Sequence, residues 1–131
     1  MNKIEWSGEI KVGIAELDRQ HKTAIDLFNN IDVTAEAKVM QINFDFLLEY
    51  LGVHFAYEEV LMKQSEYPES KKHKAEHDEM RKKISNLKEL YSQGAEEVVC
   101  SLKPLLHLWV NDHKKNRDKN FGMYAKSKGI T

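Results

Sequence analysis

Apolar side chains recur at helical spacing in four stretches of this chain, and very little interrupts them. The 131 residues include only two prolines and six glycines. β-Branched residues never alternate with polar ones for long, so almost nothing indicates strands. The apolar repeats predict helices over about 16–31, 38–64, 71–92 and 95–115. The sequence therefore favours an all-α protein. Four amphipathic helices with short connections pack most simply as an antiparallel up-down-up-down four-helix bundle.

The length suits one domain. We expect an irregular N-terminal arm over about 1–15, the bundle over about 16–115 and a C-terminal segment over 116–131. Proline removes a backbone hydrogen bond and presses on the preceding turn, so a kink or a split helix is expected at Pro104. The basic residues between Lys114 and Lys128 are expected to belong to a solvated tail that Phe121 and Tyr124 attach to the bundle, and Cys100 is expected in the core.

Charge and cysteine content narrow the classes of function. Twenty Lys and Arg residues against 21 Asp and Glu residues leave a net charge of -1, whereas a nucleic-acid-binding module usually has a basic excess. One cysteine cannot form an intramolecular disulfide, and it is too few for a thiolate zinc site. No stretch has the length of a signal peptide's apolar region or of a membrane span. We therefore expect a cytoplasmic monomer that binds no nucleic acid and spans no membrane.

Histidines occupy places on the apolar stripes where leucines would continue the pattern. In an up-down-up-down bundle, one end of the bundle contains the start of the first helix, the end of the second, the start of the third and the end of the fourth. Burying polar side chains there without partners would cost several kcal/mol, on the order of 2–7 for each group. We therefore expect them to converge on each other or on a bound ion. The residues in these places are His21, His54, Glu58, His73, His77 and His113.

The donor types favour a pair of transition ions. Two histidines four residues apart, taken by themselves, are more often solvated side chains on a surface helix. On a helix, side chains four residues apart differ by only about 40° in direction, so such a pair presents two donors to one point. Two pairs here have this spacing: His54 with Glu58, and His73 with His77. Five imidazoles with carboxylates exceed what one ion needs, and the lack of thiolates argues against structural zinc. Iron fits best, and the donors leave zinc and manganese open.

Four stretches resemble the successive motifs of the hemerythrin family, in its bacteriohemerythrin branch: LDRQH around His21, HFAYEEVLM from His54, HKAEH from His73 and WVNDHKKNRD around His113. The resemblance covers about residues 6–121 and implies two iron ions with an oxo or hydroxo bridge. It implies that one iron has three histidine ligands, that the other has two and an open position, and that two carboxylates bridge them. The implied ligands are His73, His77 and His113 for the first iron, His21 and His54 for the second, and Glu58 and Asp118 as bridges.

Asp118 is the one implied ligand that a regular α-helix would not place beside His113. Five residues along an α-helix turn a side chain about 140° away. Asp118 can therefore reach the metal only if the helix ends or unwinds near Lys115. The rival pair, His107 with Asp112, has the same spacing. His113 is preferred to His107 because it shares a face with a tryptophan four residues earlier, which is the family's pattern.

The resemblance implies a non-enzymatic protein that reversibly binds dioxygen for storage, for buffering or for delivery to a protein partner. Histidine-rich ligand sets stabilise high oxidation states less than carboxylate-rich sets, which favours oxygen carriage over oxygenation. Alternatives are a sensor of oxygen, nitric oxide or redox state that acts through a partner, a di-iron oxidase or peroxidase, and a metal-free interaction module. The expected apolar lining of the oxygen position consists of Leu51, Phe55, Trp109 and Val110.

Overall fold

The computed structural model describes residues 3–131, so the first two residues of the predicted arm lie outside the described residues. Three long helices are followed by a composite fourth segment, and residues 3–131 contain no strand. The predicted all-α four-helix bundle is confirmed. Its elements are α1 (Ala15–Asn30), α2 (Ala37–Gln64), α3 (Ser70–Ser92), a 3₁₀ turn (Glu96–Ser101), α4 (Leu102–Trp109), a π-helical stretch (Val110–Asp118) and α5 (Lys119–Ser127).

The first three helices begin and end within one residue of the predicted positions. After α3 the chain turns at Gly94, whose φ of 101° lies in the left-handed region that glycine adopts without strain. The backbone N–H of Ala95 then donates to the carbonyl of Leu90 at 3.0 Å, which satisfies one of the last carbonyls of the helix. Among residues 3–131, no helix combines the length and apolar character that crossing a bilayer requires.

The fourth segment differs from the single helix predicted over 95–115. It is split near Pro104, as expected, because the 3₁₀ turn gives way to α4 at Leu102. Pro104 is the third residue of α4, where a backbone N–H has no partner within the helix, so the proline costs no hydrogen bond there. The segment does not end near Lys115. It continues through the π-helical stretch and α5 to Ser127.

Two predictions about the C-terminal half are wrong. Lys114 is fully buried, and Phe121 and Ala125 of α5 are buried as well, so the segment predicted to be a solvated tail covers one end of the bundle. The packing of Phe121 and Tyr124 on the bundle, which was expected, is confirmed. Apolar residues of α5 recur at helical spacing and pack on that end. Cys100 is exposed. With about three residues per turn in the 3₁₀ segment, Val99 faces inward and its neighbour Cys100 faces solvent.

The core has two parts. The main core fills the body of the bundle and includes Phe44, Leu47, Ile84 and Leu106. A smaller core lies where the N-terminal arm and α5 cover the end of the bundle. Its buried members are Val12, Ile14, Leu17, Met62, Phe121 and Ala125.

The N-terminal arm and α5 are in close contact. Asp18 of α1 accepts hydrogen bonds from the backbone N–H of Val12 at 2.7 Å and of Gly13 at 3.3 Å, which holds the arm in place. Gly122 of α5 lies against this arm, and a Cβ at Gly122 would stand 2.2 Å from the carbonyl oxygen of Val12. Only glycine fits here without movement of the arm.

We expect Gly122→Ala to lower the free energy of unfolding by about 1–3 kcal/mol, because the added methyl group must displace backbone. Gly52→Ala is the matched control: a Cβ at Gly52, inside α2, meets nothing within 4 Å. That substitution should stabilise the protein by about 0.5–1 kcal/mol through helix propensity. Urea denaturation of both variants measures the two values. Equal stability of Gly122→Ala and the unsubstituted protein would contradict the close packing.

Candidate metal centre

All seven residues predicted to bind metal lie in one buried layer between the two cores. Each is at most 2% exposed. On α1, on α2 and on the fourth segment, the layer residues are flanked by the smaller core on one side and by the main core on the other. On α1, for example, Leu17 and Ile25 flank the layer residue. The contributors are His21 of α1, His54 and Glu58 of α2, His73 and His77 of α3, and His113 and Asp118 of the π-helical stretch.

The seven side chains form two overlapping groups. In each group the potential ligand atoms all lie within 4.8 Å of one another. The three-histidine group contains His73, His77 and His113, and the two-histidine group contains His21 and His54. Both carboxylates, Glu58 and Asp118, belong to both groups. The arrangement therefore defines two adjacent points that share two carboxylates.

Asp118 directs one oxygen toward each group. Its Oδ1 lies 3.0 Å from Nε2 of His113 and 2.9 Å from Nε2 of His73. Its Oδ2 lies 3.2 Å from Nε2 of His21. A carboxylate placed in this way can contact two ions at once.

Glu58 of α2 has a similar arrangement. Its Oε1 lies 3.2 Å from Nε2 of His77. Its Oε2 lies 3.6 Å from Nε2 of His21 and 3.8 Å from Nε2 of His54. The two carboxylates thus connect the same two groups.

The buried polar atoms of the layer fit a cation. Within residues 3–131, both oxygens of Glu58 and of Asp118, and Nε2 of His21, His73 and His113, are buried without a properly oriented hydrogen bond. Each such atom costs about 1–3 kcal/mol when it stays unsatisfied. Imidazole nitrogens and carboxylate oxygens are donors for borderline transition ions. Metal ions at the two points would satisfy these atoms together.

The π-helical stretch explains how Asp118 reaches the layer. Hydrogen bonds in a π-helix link residues five apart, so side chains at that spacing point in much more similar directions than in an α-helix, where they are about 140° apart. His113 and Asp118 are five apart and both lie inside the Val110–Asp118 stretch. The expected unwinding near Lys115 is thus a widening of the helix that begins at Val110.

Two residues that the sequence analysis missed orient the histidine rings. The Nδ1 of His54 lies 2.8 Å from Oε1 of Gln20, and the Nδ1 of His77 lies 2.8 Å from Oε2 of Glu59. An Nδ1–H that donates to these oxygens leaves the lone pair on Nε2, which faces the centre. Each partner is adjacent in sequence to a predicted ligand. That adjacency was the only available signal.

A third missed residue is Lys114. Its side chain is fully buried, and its Nζ lies 3.5 Å from Nε2 of His54 and 4.0 Å from Oδ2 of Asp118. Burial lowers the pKa of Lys114 below the usual lysine value. A polar run in the sequence concealed this residue, because only the π-helical stretch turns it inward.

The four residues predicted to line an oxygen position, Leu51, Phe55, Trp109 and Val110, are all buried. The ring of Phe55 stacks on His77 with centroids 4.0 Å apart, and Trp109 stacks on His113 at 3.8 Å. These aromatic rings pack against the three-histidine group and keep its imidazoles in place. Contact with oxygen stays a prediction.

The rival pair, His107 with Asp112, lies outside the centre. His107 is half-buried and Asp112 is exposed, and neither belongs to the two groups of potential ligands found among residues 3–131. The structure therefore places His113, rather than His107, with the other histidines.

Fold and site together define a helical-bundle protein with a buried centre of histidines and carboxylates suited to two metal ions. A family model described as the hemerythrin HHE cation binding domain matches residues 12–124. The chain belongs to the hemerythrin family, which binds a di-iron centre. The resemblance inferred from the motifs is confirmed.

Relatives match over most of their length. A bacteriohemerythrin of Aquifex aeolicus is 35% identical over 86% of this chain and 86% of its own length. The bacteriohemerythrin of Methylococcus capsulatus is 29% identical over 93% of this chain and 96% of its own length. Among solved structures, wild-type hemerythrin superposes with a TM-score of 0.79 at 27% identity, over 93% of this chain and 97% of its own. A hemerythrin variant superposes with a TM-score of 0.86 at 28% identity, over 95% of this chain and 98% of its own.

Metal uptake should release protons. In the metal-free protein, burial acts to lower the pKa of His73, but Asp118 and Glu58 outweigh it and raise that pKa to about 10. His73 therefore carries a proton at neutral pH, and a metal ion must displace it. We expect metal affinity to rise about tenfold per pH unit for each proton released, up to about pH 10.

Titration of the metal-free protein with Zn²⁺ in weakly buffered solution, with a pH indicator, counts the protons released. At least one proton per chain is expected at neutral pH. Uptake with no proton release, or affinity independent of pH, would contradict the tight pairing of His73 with the two carboxylates.

Proposed function

We propose that this protein reversibly binds dioxygen at a di-iron centre formed by the seven buried residues. The observation that carries the proposal is the donor set. Five imidazoles and two shared carboxylates lie in a layer between two apolar cores. Imidazoles bring no charge, so the set holds its ions with only two negative side chains. A ligand set of this kind favours reversible binding of a gas over formation of the highly oxidised iron states that attack substrates.

The ligand assignment follows the two groups. His73, His77 and His113 hold one iron, and His21 and His54 hold the other. Glu58 and Asp118 would be shared by the two ions, together with an oxo or hydroxo group, and the two-histidine iron would keep a position for an exogenous ligand. What supports this division is that only the carboxylates belong to both groups.

The di-iron centre, when bound, supplies the electrons for reversible dioxygen binding. The protein's own residues hold it in place and keep water away. Gln20 and Glu59 fix the ring orientation of His54 and His77 through their Nδ1 atoms. Phe55 stacks on the ring of His77 and with its neighbours closes the layer to solvent, which slows irreversible oxidation.

We expect His77→Ala to lose the three-histidine iron and to lower the thermal unfolding midpoint, because Glu58 Oε1 and Glu59 lose a partner. His107→Ala is the matched control, since His107 lies outside the two groups, and it should keep two irons per chain. Iron analysis of the purified variants measures this. Two irons in His77→Ala, or iron loss in His107→Ala, would refute the assignment.

Reversibility is tested on the reduced protein. We expect its absorption spectrum to change on exposure to dioxygen and to return when dioxygen is removed under vacuum, with little net oxygen consumed. An oxygen electrode records consumption in parallel. Steady consumption in the presence of a reductant would instead identify an oxidase or peroxidase, and fewer than two irons per chain would reject the di-iron proposal.

A further inference from the structure

Lys114 is a buried amine at the two-histidine group, and no part of the centre described so far needs it. It follows His113 directly in the π-helical stretch, yet its side chain reaches a histidine of the two-histidine group. Its Nζ approaches Nε2 of His54 at 3.5 Å and Oδ2 of Asp118 at 4.0 Å. A fully buried lysine without a strong partner is costly and rare. Its position beside the centre therefore calls for an acceptor.

The hydrogen-bond partner it has in the structure cannot serve in the iron-loaded protein. Because Nδ1 of His54 donates to Gln20, the lone pair of His54 lies on Nε2, where a metal ion takes it. The N–H groups of Lys114 Nζ are then left without an acceptor on His54. Among residues 3–131, the one charged oxygen recorded within 4.0 Å of Nζ is Asp118 Oδ2, and 4.0 Å is beyond ordinary hydrogen-bond distance.

We propose that Lys114 Nζ donates a hydrogen bond to the exogenous ligand of the two-histidine iron, and that this hydrogen bond strengthens the binding of anionic ligands there. The inference rests on the proposed di-iron centre. It also changes the character of the predicted oxygen position. A lining made only of residues such as Leu51 and Val110 would favour neutral molecules, whereas an N–H donor favours a ligand that carries or gains negative charge.

The same geometry offers Lys114 one other role, with the opposite consequence. An unprotonated amine has a lone pair and could itself ligate the two-histidine iron, which would close the position to other ligands. Removal of the amine would then open the position, whereas removal of a hydrogen-bond donor would weaken what binds there. The two roles therefore predict effects of opposite sign on anion affinity.

The test is azide binding to the oxidised di-iron protein, followed by absorption and by the infrared stretch of bound azide. Lys114→Met keeps the length of the side chain and removes its donor. Lys115→Met is the matched control, because Lys115 is the next residue and its Nζ pairs at 3.2 Å with Glu9 on the surface. Iron content is measured first in all three proteins.

We expect the dissociation constant for azide to rise about ten- to hundredfold in Lys114→Met, the loss typical of a hydrogen bond to a charged group. Lys115→Met should stay within about twofold of the unsubstituted protein. In the unsubstituted protein, the azide band should shift between H₂O and D₂O, a readout that needs no variant. The shift should disappear in Lys114→Met.

Unchanged azide affinity in Lys114→Met with two irons bound, or a band insensitive to D₂O in the unsubstituted protein, would overturn the inference. Tighter azide binding in Lys114→Met would overturn it in favour of an amine ligand. Fewer than two irons in the unsubstituted protein would instead reject the proposed function, so the two failures are distinguishable.

Discussion

Two buried carboxylates, Glu58 and Asp118, connect the segments of the bundle at one layer. Glu58 extends from α2, and Asp118 from the π-helical stretch, and each approaches histidines of both α1 and α3. Two negative side chains so close together in an apolar interior repel each other, and burial favours their neutral forms. Contacts with His21, His73 and other imidazoles outweigh both effects and hold the pKa values of Glu58 and Asp118 well below their ordinary ones. The layer thus needs positive charge, supplied by protons or by metal ions.

The π-helical stretch is the local device that completes this layer. It aligns His113 with Asp118, which an α-helix would separate, and it turns Lys114 inward beside them. The stretch is secured on both sides by packing, since Trp109 stacks on His113 and Phe121 anchors α5 in the smaller core. π-Helical hydrogen bonding is less common than α-helical bonding and is found frequently at functional sites.

The sequence was sufficient for the first three helices and for six of the seven residues of the buried layer, because apolar periodicity locates both a helix and the polar residues that interrupt its stripe. Asp118 depended on family resemblance, since no α-helical periodicity places it beside His113. Lys114 looked solvated for the same reason: a polar run carries no sign of a change in helix type. Gln20 and Glu59 could not be inferred, because their roles depend on how neighbouring helices are rotated against each other.

We propose that two metal ions lie between Glu58 and Asp118. Anomalous diffraction at the iron absorption edge, from crystals of the iron-loaded protein, locates them. We expect two iron peaks about 3.5–4 Å apart, one beside the three histidines of α3 and the π-helical stretch and one beside His21 and His54. A single peak, or iron bound away from the two carboxylates, would contradict it.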